Sequence, residues 1–194
     1  MSIKTKMQEL KKELILQEAT KMFEISGYEQ LKVSDLAKEV HVSVGTIYSL
    51  FSSKEGLYLA YIEQQIQNFL TELKEKTVAE KPYKKIYTFV ELKFSYYWKK
   101  RKAIEQNAAN NPFFFNTLAK EHSEVFAKIY LFLQDAFVEL NPKINRQQAI
   151  RLSYALNGYS DGYIGLWLEK NDDLLQYAHE VTEFFIIMLE KCCK

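Results

Sequence analysis

Residues 31–57 read LKVSDLAKEVHVSVGTIYSLFSSKEGL, and their apolar pattern predicts two short helices joined by a tight turn. In each helix an apolar residue recurs every three or four positions, which gives the helix one buried face. These residues are Val33, Leu36, Ala37 and Val40 in the first helix, and Val44, Ile47, Leu50 and Phe51 in the second. Residues 41–43 are too few to form a loop between independent elements, so they fit the steep turn of a helix-turn-helix.

Hydroxyl and acidic side chains lie where these helices are predicted to begin. Ser34, followed by Asp35, offers a cap to the first helix, and Ser43 offers one to the second. Ser52 with Glu55 forms a capping-box pattern, which predicts the start of a third helix.

The outer face of the second helix consists of small, hydroxylated or phenolic side chains, namely Gly45, Thr46, Tyr48 and Ser49. Short side chains let a helix backbone come close to base edges in the major groove of DNA. This face therefore indicates a recognition helix, which we predict over residues 44–50.

Residues 27–57 resemble the N-terminal signature of the tetracycline-repressor (TetR/AcrR-type) family of bacterial transcriptional regulators. The matching residues are Gly27-Tyr28, Asp35-Leu36-Ala37, Val42-Ser43, Gly45-Thr46-Ile47-Tyr48, Phe51, Ser53-Lys54-Glu55 and Leu57. Their joint spacing is far more specific than a lone short motif. The resemblance implies double-stranded operator DNA and a second copy of the chain as partners. It also implies a small hydrophobic or aromatic effector held by the middle helices.

Two positions depart from the family pattern. The family usually has a Thr pair where this chain has Leu31-Lys32; Lys32 can contact a phosphate as a cation, and Ser34 can supply part of the cap. The turn, which often contains Gly, has His41 here, and histidine is among the residues that tolerate a positive φ. We therefore expect the turn to be kept.

The DNA-contacting residues are predicted from this motif, because a net charge of only +1 does not by itself indicate a nucleic-acid binder. We expect Val44 and Gly45 to lie near base edges. Phosphate contacts position a protein without specifying sequence, and we assign them to Thr46, Tyr48, Lys54 and Lys32. The full predicted set is Lys32, Ser34, Ser43, Val44, Gly45, Thr46, Tyr48, Ser49 and Lys54.

The composition predicts an all-α fold with a well-filled core. Apolar residues make up 47% of the 194 residues and aromatic residues 14%, which argues against disorder. Asn157-Gly158 and Asp161-Gly162 fall inside a helical pattern, so hairpin turns are not predicted there. We expect about nine helices. Three form a helix-turn-helix DNA-binding domain over residues 1–53, and a larger bundle over residues 54–194 serves ligand binding and dimerisation.

Apolar periodicity and proline positions predict the bounds of the other helices. We expect a first helix over residues 5–26, closed by Gly27 as a left-handed cap. The later helices are predicted over residues 57–76, 82–101, 116–140, 146–170 and 172–193, with a break at residues 110–112.

Several function classes lack support in the sequence. No run reaches the ~18 apolar residues of a membrane span, and the N-terminus mixes acids with its lysines, so we expect a cytoplasmic protein with no membrane partner. Cys192 and Cys193 are adjacent, and the three histidines lack metal-ligand spacing. We therefore predict no catalytic site, no metal and no cofactor.

Polar side chains lie among the apolar ones on the middle helices: Lys93, Asn107, Asn110, Asn157 and Asp161. Polar groups that face inward need partners, and a bound ligand can be one. We predict an aromatic-walled effector pocket lined by Phe89, Lys93, Tyr97, Phe114, Tyr130 and Tyr159. Plain core packing is the alternative, since aromatic residues at helical spacing more often belong to the core.

The last two helices carry more apolar surface than one domain needs to bury. Gly158, Gly162 and Gly165 lie on one stripe, and a Gly in a helix interior costs about 1 kcal/mol relative to Ala. Close approach of another helix would explain them. We predict a four-helix dimer interface that includes Gly158, Gly162, Gly165, Trp167, Val181, Phe185 and Met188. Packing within one chain is the alternative.

These predictions combine into one functional hypothesis. The chain would be a homodimeric, DNA-binding transcriptional regulator, a repressor that a small hydrophobic effector releases from its operator. A ligand-independent DNA-binding or architectural protein of the same fold is the first alternative, and an all-α enzyme is the second.

Overall fold

The computed structural model describes residues 2–101, 123–170 and 172–192, and over these residues the chain is all-α. The described residues contain eight α-helices: α1 (Ile3–Gln30), α2 (Val33–Glu39), α3 (Val44–Phe51), α4 (Lys54–Thr77), α5 (Pro82–Lys99), α6 (Ser123–Leu140), α7 (Arg146–Lys170) and α8 (Tyr177–Cys192). The predicted all-α fold class is confirmed. Within the described ranges, none of these helices is long and apolar enough to cross a membrane.

Several predicted helix bounds agree with the structure. Helix α7 covers residues 146–170 as predicted, and α6 ends at residue 140. The last helix begins later than predicted, because residues 174–176 form a 3₁₀ turn in which the Asp173 carboxylate accepts a hydrogen bond from the Leu175 N–H at 3.0 Å. The predicted break at residues 110–112 and the start predicted at residue 116 lie outside the described residues.

The chain divides into two compact units. Among the described residues, the first contains residues 2–66 with Lys100 and Arg101, and the second contains residues 67–99, 123–170 and 172–192. Helix α4 therefore contributes residues to both units. The predicted division of labour between residues 1–53 and 54–194 stays a prediction.

The first unit is built on a core that α1 shares with the helix-turn-helix. Ile15, Ala19 and Phe23 recur every four residues and so lie on one buried face of α1. Leu36 of α2 and Ile47 of α3 are fully buried in the same core. Burial of these apolar side chains holds α2 and α3 in place and leaves their opposite faces in solvent.

Helix α1 is kinked at Gly27, where φ is 75° and ψ is 177°. The predicted left-handed cap is wrong in part: φ is positive, but ψ is extended, and helical turns continue to residue 30. Glycine adopts this conformation at little cost because it lacks a Cβ. The kink leaves the Tyr28 ring stacked against Phe23, with their ring centroids 6.4 Å apart.

Two of the predicted helix caps are wrong. Helix α2 begins directly after Lys32, so Ser34 lies inside its first turn. Helix α4 is capped by Ser53, whose Oγ accepts a hydrogen bond from the Gly56 N–H at 3.0 Å. Ser52 instead ends α3 with a φ of 68°.

Helix α5 lies at the centre of the second unit, with α6, α7, α8 and the 3₁₀ turn packed against it. Large aromatic side chains from all four helices fill this core: Phe89, Phe94, Phe137, Trp167 and Phe185. The central position of α5 places Lys93, which it carries, inside the helical body.

Candidate nucleic-acid interface

The start of α3 is fixed by Ser43. Its Oγ accepts a hydrogen bond from the Thr46 N–H at 3.0 Å and lies 2.9 Å from the Thr46 hydroxyl. An N-cap of this kind satisfies a backbone N–H that has no partner within the helix, and it typically contributes about 1 kcal/mol. The predicted cap at Ser43 is confirmed.

The outer face of α3 is open to solvent. Ile47 and Phe51 lie on the buried face of this helix, whereas Val44 is 36% exposed and Tyr48 is 43% exposed. The other predicted contact residues with exposed side chains or backbone are Lys32, Ser34, Ser43, Gly45 and Ser49. Helix α3 thus presents a surface of short side chains and one phenol, as the sequence predicts.

The turn between α2 and α3 contains His41 in the left-handed region, with a φ of 53°. The turn is closed by a hydrogen bond from the Val42 N–H to the Ala37 carbonyl oxygen at 2.9 Å. The expectation that histidine keeps the turn is therefore confirmed.

Lys54, Tyr28 and Glu55 form a cluster where α1 ends and α4 begins. The Lys54 Nζ donates a hydrogen bond to the Glu29 carbonyl oxygen at 3.2 Å and lies 4.6 Å from the centroid of the Tyr28 ring. The Tyr28 hydroxyl donates to Glu55 at 2.7 Å. Burial, followed by this hydrogen bond, raises the pKa of Tyr28, and the same bond lowers the pKa of Glu55. These contacts orient Lys54, and the sequence patterns did not reveal them.

Lys12 of α1 also lies beside the recognition helix. Its Nζ is 5.4 Å from the centroid of the Phe51 ring, at the end of α3. Helical periodicity gives the face of α1 on which a lysine lies but not which neighbour it contacts, so the sequence did not identify this residue.

The helix-turn-helix is also the part of the chain that matches a known family. The family model described as "Bacterial regulatory proteins, tetR family" matches residues 15–61, a segment that starts at the first buried residue of α1 and includes α2 and α3. Residues 15–61 are therefore similar to the tetR family. The resemblance stated from the sequence is therefore confirmed.

Two Bacillus subtilis proteins are similar to this chain over short stretches. One is the uncharacterized HTH-type transcriptional regulator YuxN, 36% identical over 73 residues, or 37% of this chain and 25% of that protein. The other is the fatty acid metabolism regulator protein, 31% identical over 70 residues, or 34% of this chain and 36% of that protein. The chain thus spans about a quarter to a third of the length of these curated relatives.

Two solved structures of transcriptional regulators share the fold of most of this chain. The transcriptional regulator FadR from Bacillus subtilis, in complex with stearoyl-CoA, has a TM-score of 0.68 at 19% identity and covers 88% of this chain and 95% of its own. The fatty acid degradation regulator FadR from Bacillus halodurans has a TM-score of 0.69 at 21% identity and covers 90% and 94%. At these identities the likeness concerns the fold.

In the helical body, Lys93 is buried within a polar cluster on α7. Its Nζ lies 2.8 Å from the Asn157 Oδ1, 3.1 Å from the Asn157 carbonyl oxygen, 2.8 Å from the Ser160 Oγ and 2.6 Å from the Asp161 Oδ1. Burial lowers the pKa of Lys93, while Asp161 opposes that shift. Across the described ranges, no group of three or more His, Cys, Asp or Glu side chains could hold a metal ion.

The other predicted pocket residues lie in different surroundings. Phe89 is fully buried and meets the Phe69 ring edge-on, with centroids 5.8 Å apart. Tyr97 and Tyr130 are half-buried. Phe114 lies outside the described residues, as do Asn107 and Asn110.

Tyr159 faces α8 and not the polar cluster. Its ring lies 5.5 Å from the Phe184 ring, and its hydroxyl lies 3.2 Å from the Tyr163 hydroxyl. Because successive residues of a helix differ in direction by about 100°, an apolar pattern alone did not distinguish this face from the Lys93 face. The assignment of Tyr159 to a pocket around Lys93 is therefore wrong.

The residues predicted for a dimer interface divide into surface and core positions. The exposed ones are Gly158, Gly162, Gly165 and Met188. The buried ones, each at most 2% exposed, are Trp167, Val181 and Phe185. A side chain buried in its own chain cannot contact a second copy, so their placement at the interface is wrong. Phe184 and Ile187 of α8, which lie beside the predicted stripe, are 58% and 48% exposed.

Proposed function

We propose that this chain is a homodimeric, DNA-binding transcriptional regulator that represses from an operator and is released by a small hydrophobic effector. The observation that carries the DNA-binding part is the exposed face of α3, capped by Ser43 and anchored by Ile47 within a tetR-family domain. A short helix held in this way can enter a major groove without rearranging.

Within this proposal, α3 both reads bases and positions the protein. Val44 and Gly45 lie at the exposed N-terminal end of the helix, where recognition helices contact base edges. Phosphate contacts are assigned to the hydroxyls of Thr46 and Tyr48 on α3 and to two lysines, Lys32 and Lys54. The cluster around Tyr28 holds Lys54 at the start of α4.

The proposed dimer uses the exposed faces of α7 and α8. A Cβ added at Gly158, Gly162 or Gly165 would meet open space among the described residues, so this stripe is a shallow groove on the surface of one chain. Phe184, Ile187 and Met188 lie exposed on α8. Side chains of that size can fill such a groove on a second copy, and a two-fold pairing repeats the contact twice.

Release by an effector is supported by the relatives. FadR from Bacillus subtilis was solved with stearoyl-CoA, and a fatty acid metabolism regulator is among the sequence relatives. A ligand can lower DNA affinity only by binding more tightly to a conformer that does not fit the operator. Helix α4 contributes residues to both units and is therefore the proposed lever.

One observation favours a second candidate, a ligand-independent DNA-binding protein of the same fold. The Lys93 ammonium already has four oxygen acceptors within the chain, so burial of this charge does not require a ligand. Titration of the operator complex with stearoyl-CoA and with shorter acyl chains distinguishes the two candidates. Release of the protein from DNA supports the effector-controlled regulator. A complex that none of these compounds dissociates supports the second candidate.

The proposed phosphate role of Tyr48 gives a sharp test of DNA binding. Tyr48→Phe removes one hydroxyl and leaves the α3 core intact, so we expect affinity to fall by roughly ten- to a hundredfold, because hydrogen bonds to charged groups typically contribute about 1.5–3 kcal/mol. The loss should be equal for an operator fragment, selected from DNA around the coding region, and for random DNA. Fluorescence anisotropy at fixed salt measures both.

Tyr87→Phe is the matched control, since its hydroxyl bonds Glu91 on α5 at 3.2 Å. It should leave both affinities unchanged. A loss of affinity for the operator alone would assign Tyr48 to base reading, and no loss on either DNA would remove Tyr48 from the interface.

A further inference from the structure

The buried Lys93 ammonium is the most unusual charge in the helical body. A buried cation is costly unless it is paired, and an ammonium has three N–H donors. The three residues around Lys93 present four oxygen acceptors within 3.1 Å, one more than it has donors. One of these acceptors can therefore leave without stranding an N–H group.

Asp161 is the acceptor that can leave most easily. Its side chain is 48% exposed, whereas the Lys93 side chain is 9% exposed. The Ser160 Oγ is tied to the Asn157 carbonyl oxygen at 2.8 Å, so these two groups are fixed on the helix. Rotation of Asp161 into water would keep it solvated, although it would also break the hydrogen bond that its Oδ2 accepts from the Asn157 Nδ2 at 3.2 Å. The cation would then face the surface of α7.

Aromatic surface lies on the same face of α7 as Asp161. Tyr154, two turns before Asp161, is on the same face of α7 and is 57% exposed. One side of its ring is covered by Tyr130, with centroids 4.0 Å apart and planes 13° apart. Burial raises the pKa of Tyr130, and the charges of Tyr154 and Asp161 add to that shift. The free side of the Tyr154 ring can stack with another planar ring.

We propose that this position is a binding site for a small aromatic carboxylate, whose anionic group takes the place of Asp161 on Lys93 while its ring lies against Tyr154. This inference rests on the proposed function, since it names the chemical class of an effector. Asn157 and Ser160 keep two of the three N–H bonds of Lys93, and the incoming carboxylate accepts the third.

The test compares cinnamate with cinnamamide, which has the same shape but no charge, by isothermal titration calorimetry. Asp161→Asn removes the competing anion, so cinnamate affinity should rise by roughly tenfold, because a charge-assisted hydrogen bond is then no longer displaced. Cinnamamide affinity should not rise. Glu139→Gln is a matched control: Glu139 pairs with Lys85 at the same 2.6 Å and is also 48% exposed. It should leave cinnamate binding unchanged.

Lys93→Met should abolish cinnamate binding. That variant also removes the donor to Asn157 and Ser160 and can unfold the protein, so the pair Asp161→Asn and Glu139→Gln decides the outcome. The anion site is overturned if cinnamate binds neither wild type nor Asp161→Asn, or if Asp161→Asn changes cinnamate and cinnamamide affinity equally.

Operator binding, measured separately without ligand, distinguishes this inference from the proposed function. Loss of the operator complex on adding cinnamate supports both. Tight cinnamate binding that leaves the operator complex intact keeps the anion site but rejects it as the effector site, and a protein that binds cinnamate but no DNA overturns the regulator proposal alone.

Discussion

Glu55 is a single carboxylate whose hydrogen bond should be visible in the pH dependence of stability. Its pKa is lowered first by the Tyr28 hydroxyl, from an ordinary value of 4.5. A carboxylate with a folded-state pKa below its unfolded-state value stabilises the fold above the unfolded value, and the effect is lost as the pH falls through the folded value. We expect Glu55→Gln to lower the free energy of unfolding at neutral pH, with the difference from wild type vanishing as the pH falls below about 4.5.

Urea unfolding at a series of pH values measures this difference in the free energy of unfolding. Glu39→Gln, at an exposed position, is the control. A difference that does not vary with pH would show that Glu55 acts by packing.

At the same scale, the two adjacent serines show what sequence alone leaves undecided. Ser52 and Ser53 are both acceptable caps, and the capping-box pattern selected Ser52. The structure places Ser52 at a φ of 68°, because the chain must reverse between α3 and α4, so the cap falls to Ser53. Ser43 had no such competitor, since the α3 pattern begins directly after it, and its prediction is confirmed.

At the scale of elements, the junction of α3 and α4 depends on Gly56. A Cβ added there would lie 2.0 Å from the Phe51 carbonyl oxygen, which is a backbone atom and cannot move aside. We expect Gly56→Ala to destabilise the protein by about 2 kcal/mol or more, because the two helix ends must separate. Thermal unfolding followed by circular dichroism measures the loss. Gly45→Ala is the matched control, since its Cβ would make an ordinary contact 3.7 Å from the Ser43 Oγ. Equal stability of the two variants would contradict the close approach.

Helices were predictable from the sequence where one pattern decides them, and contacts between helices were not. Residues 146–170 were predicted correctly because apolar positions repeat without a break. Tyr159 and Trp167 were assigned to the wrong surfaces. Which face of a helix packs against its neighbour depends on the rotation of the helix about its axis, and an error of one residue changes that rotation by about 100°. The Lys93 cluster was predicted in part: Lys93, Asn157 and Asp161 were named and Ser160 was not, and that they bond one another follows only from the packing of α5 against α7.

At the scale of the whole molecule, the proposed function predicts that operator affinity depends on pairing two DNA-binding units that each bind weakly. One α3 helix has few charges, so a single chain should bind DNA weakly, whereas linkage of two raises affinity through effective concentration by 10²–10⁴. We expect Gly162→Leu to fill the α7 groove and dissociate the dimer without unfolding the chain, because leucine is a better helix former than glycine and its side chain would meet open space in the single chain. Operator affinity should fall by about a hundredfold or more, while the weak binding of one chain to a half-site persists.

Sedimentation velocity measures the dissociation of the dimer, and fluorescence anisotropy measures the operator affinity. Gly162→Ala, which adds one methyl to the same groove, should retain more of the dimer. If Gly162→Leu stays dimeric, the groove is not the interface, and a monomer with full operator affinity would show that the two DNA-binding units do not act together.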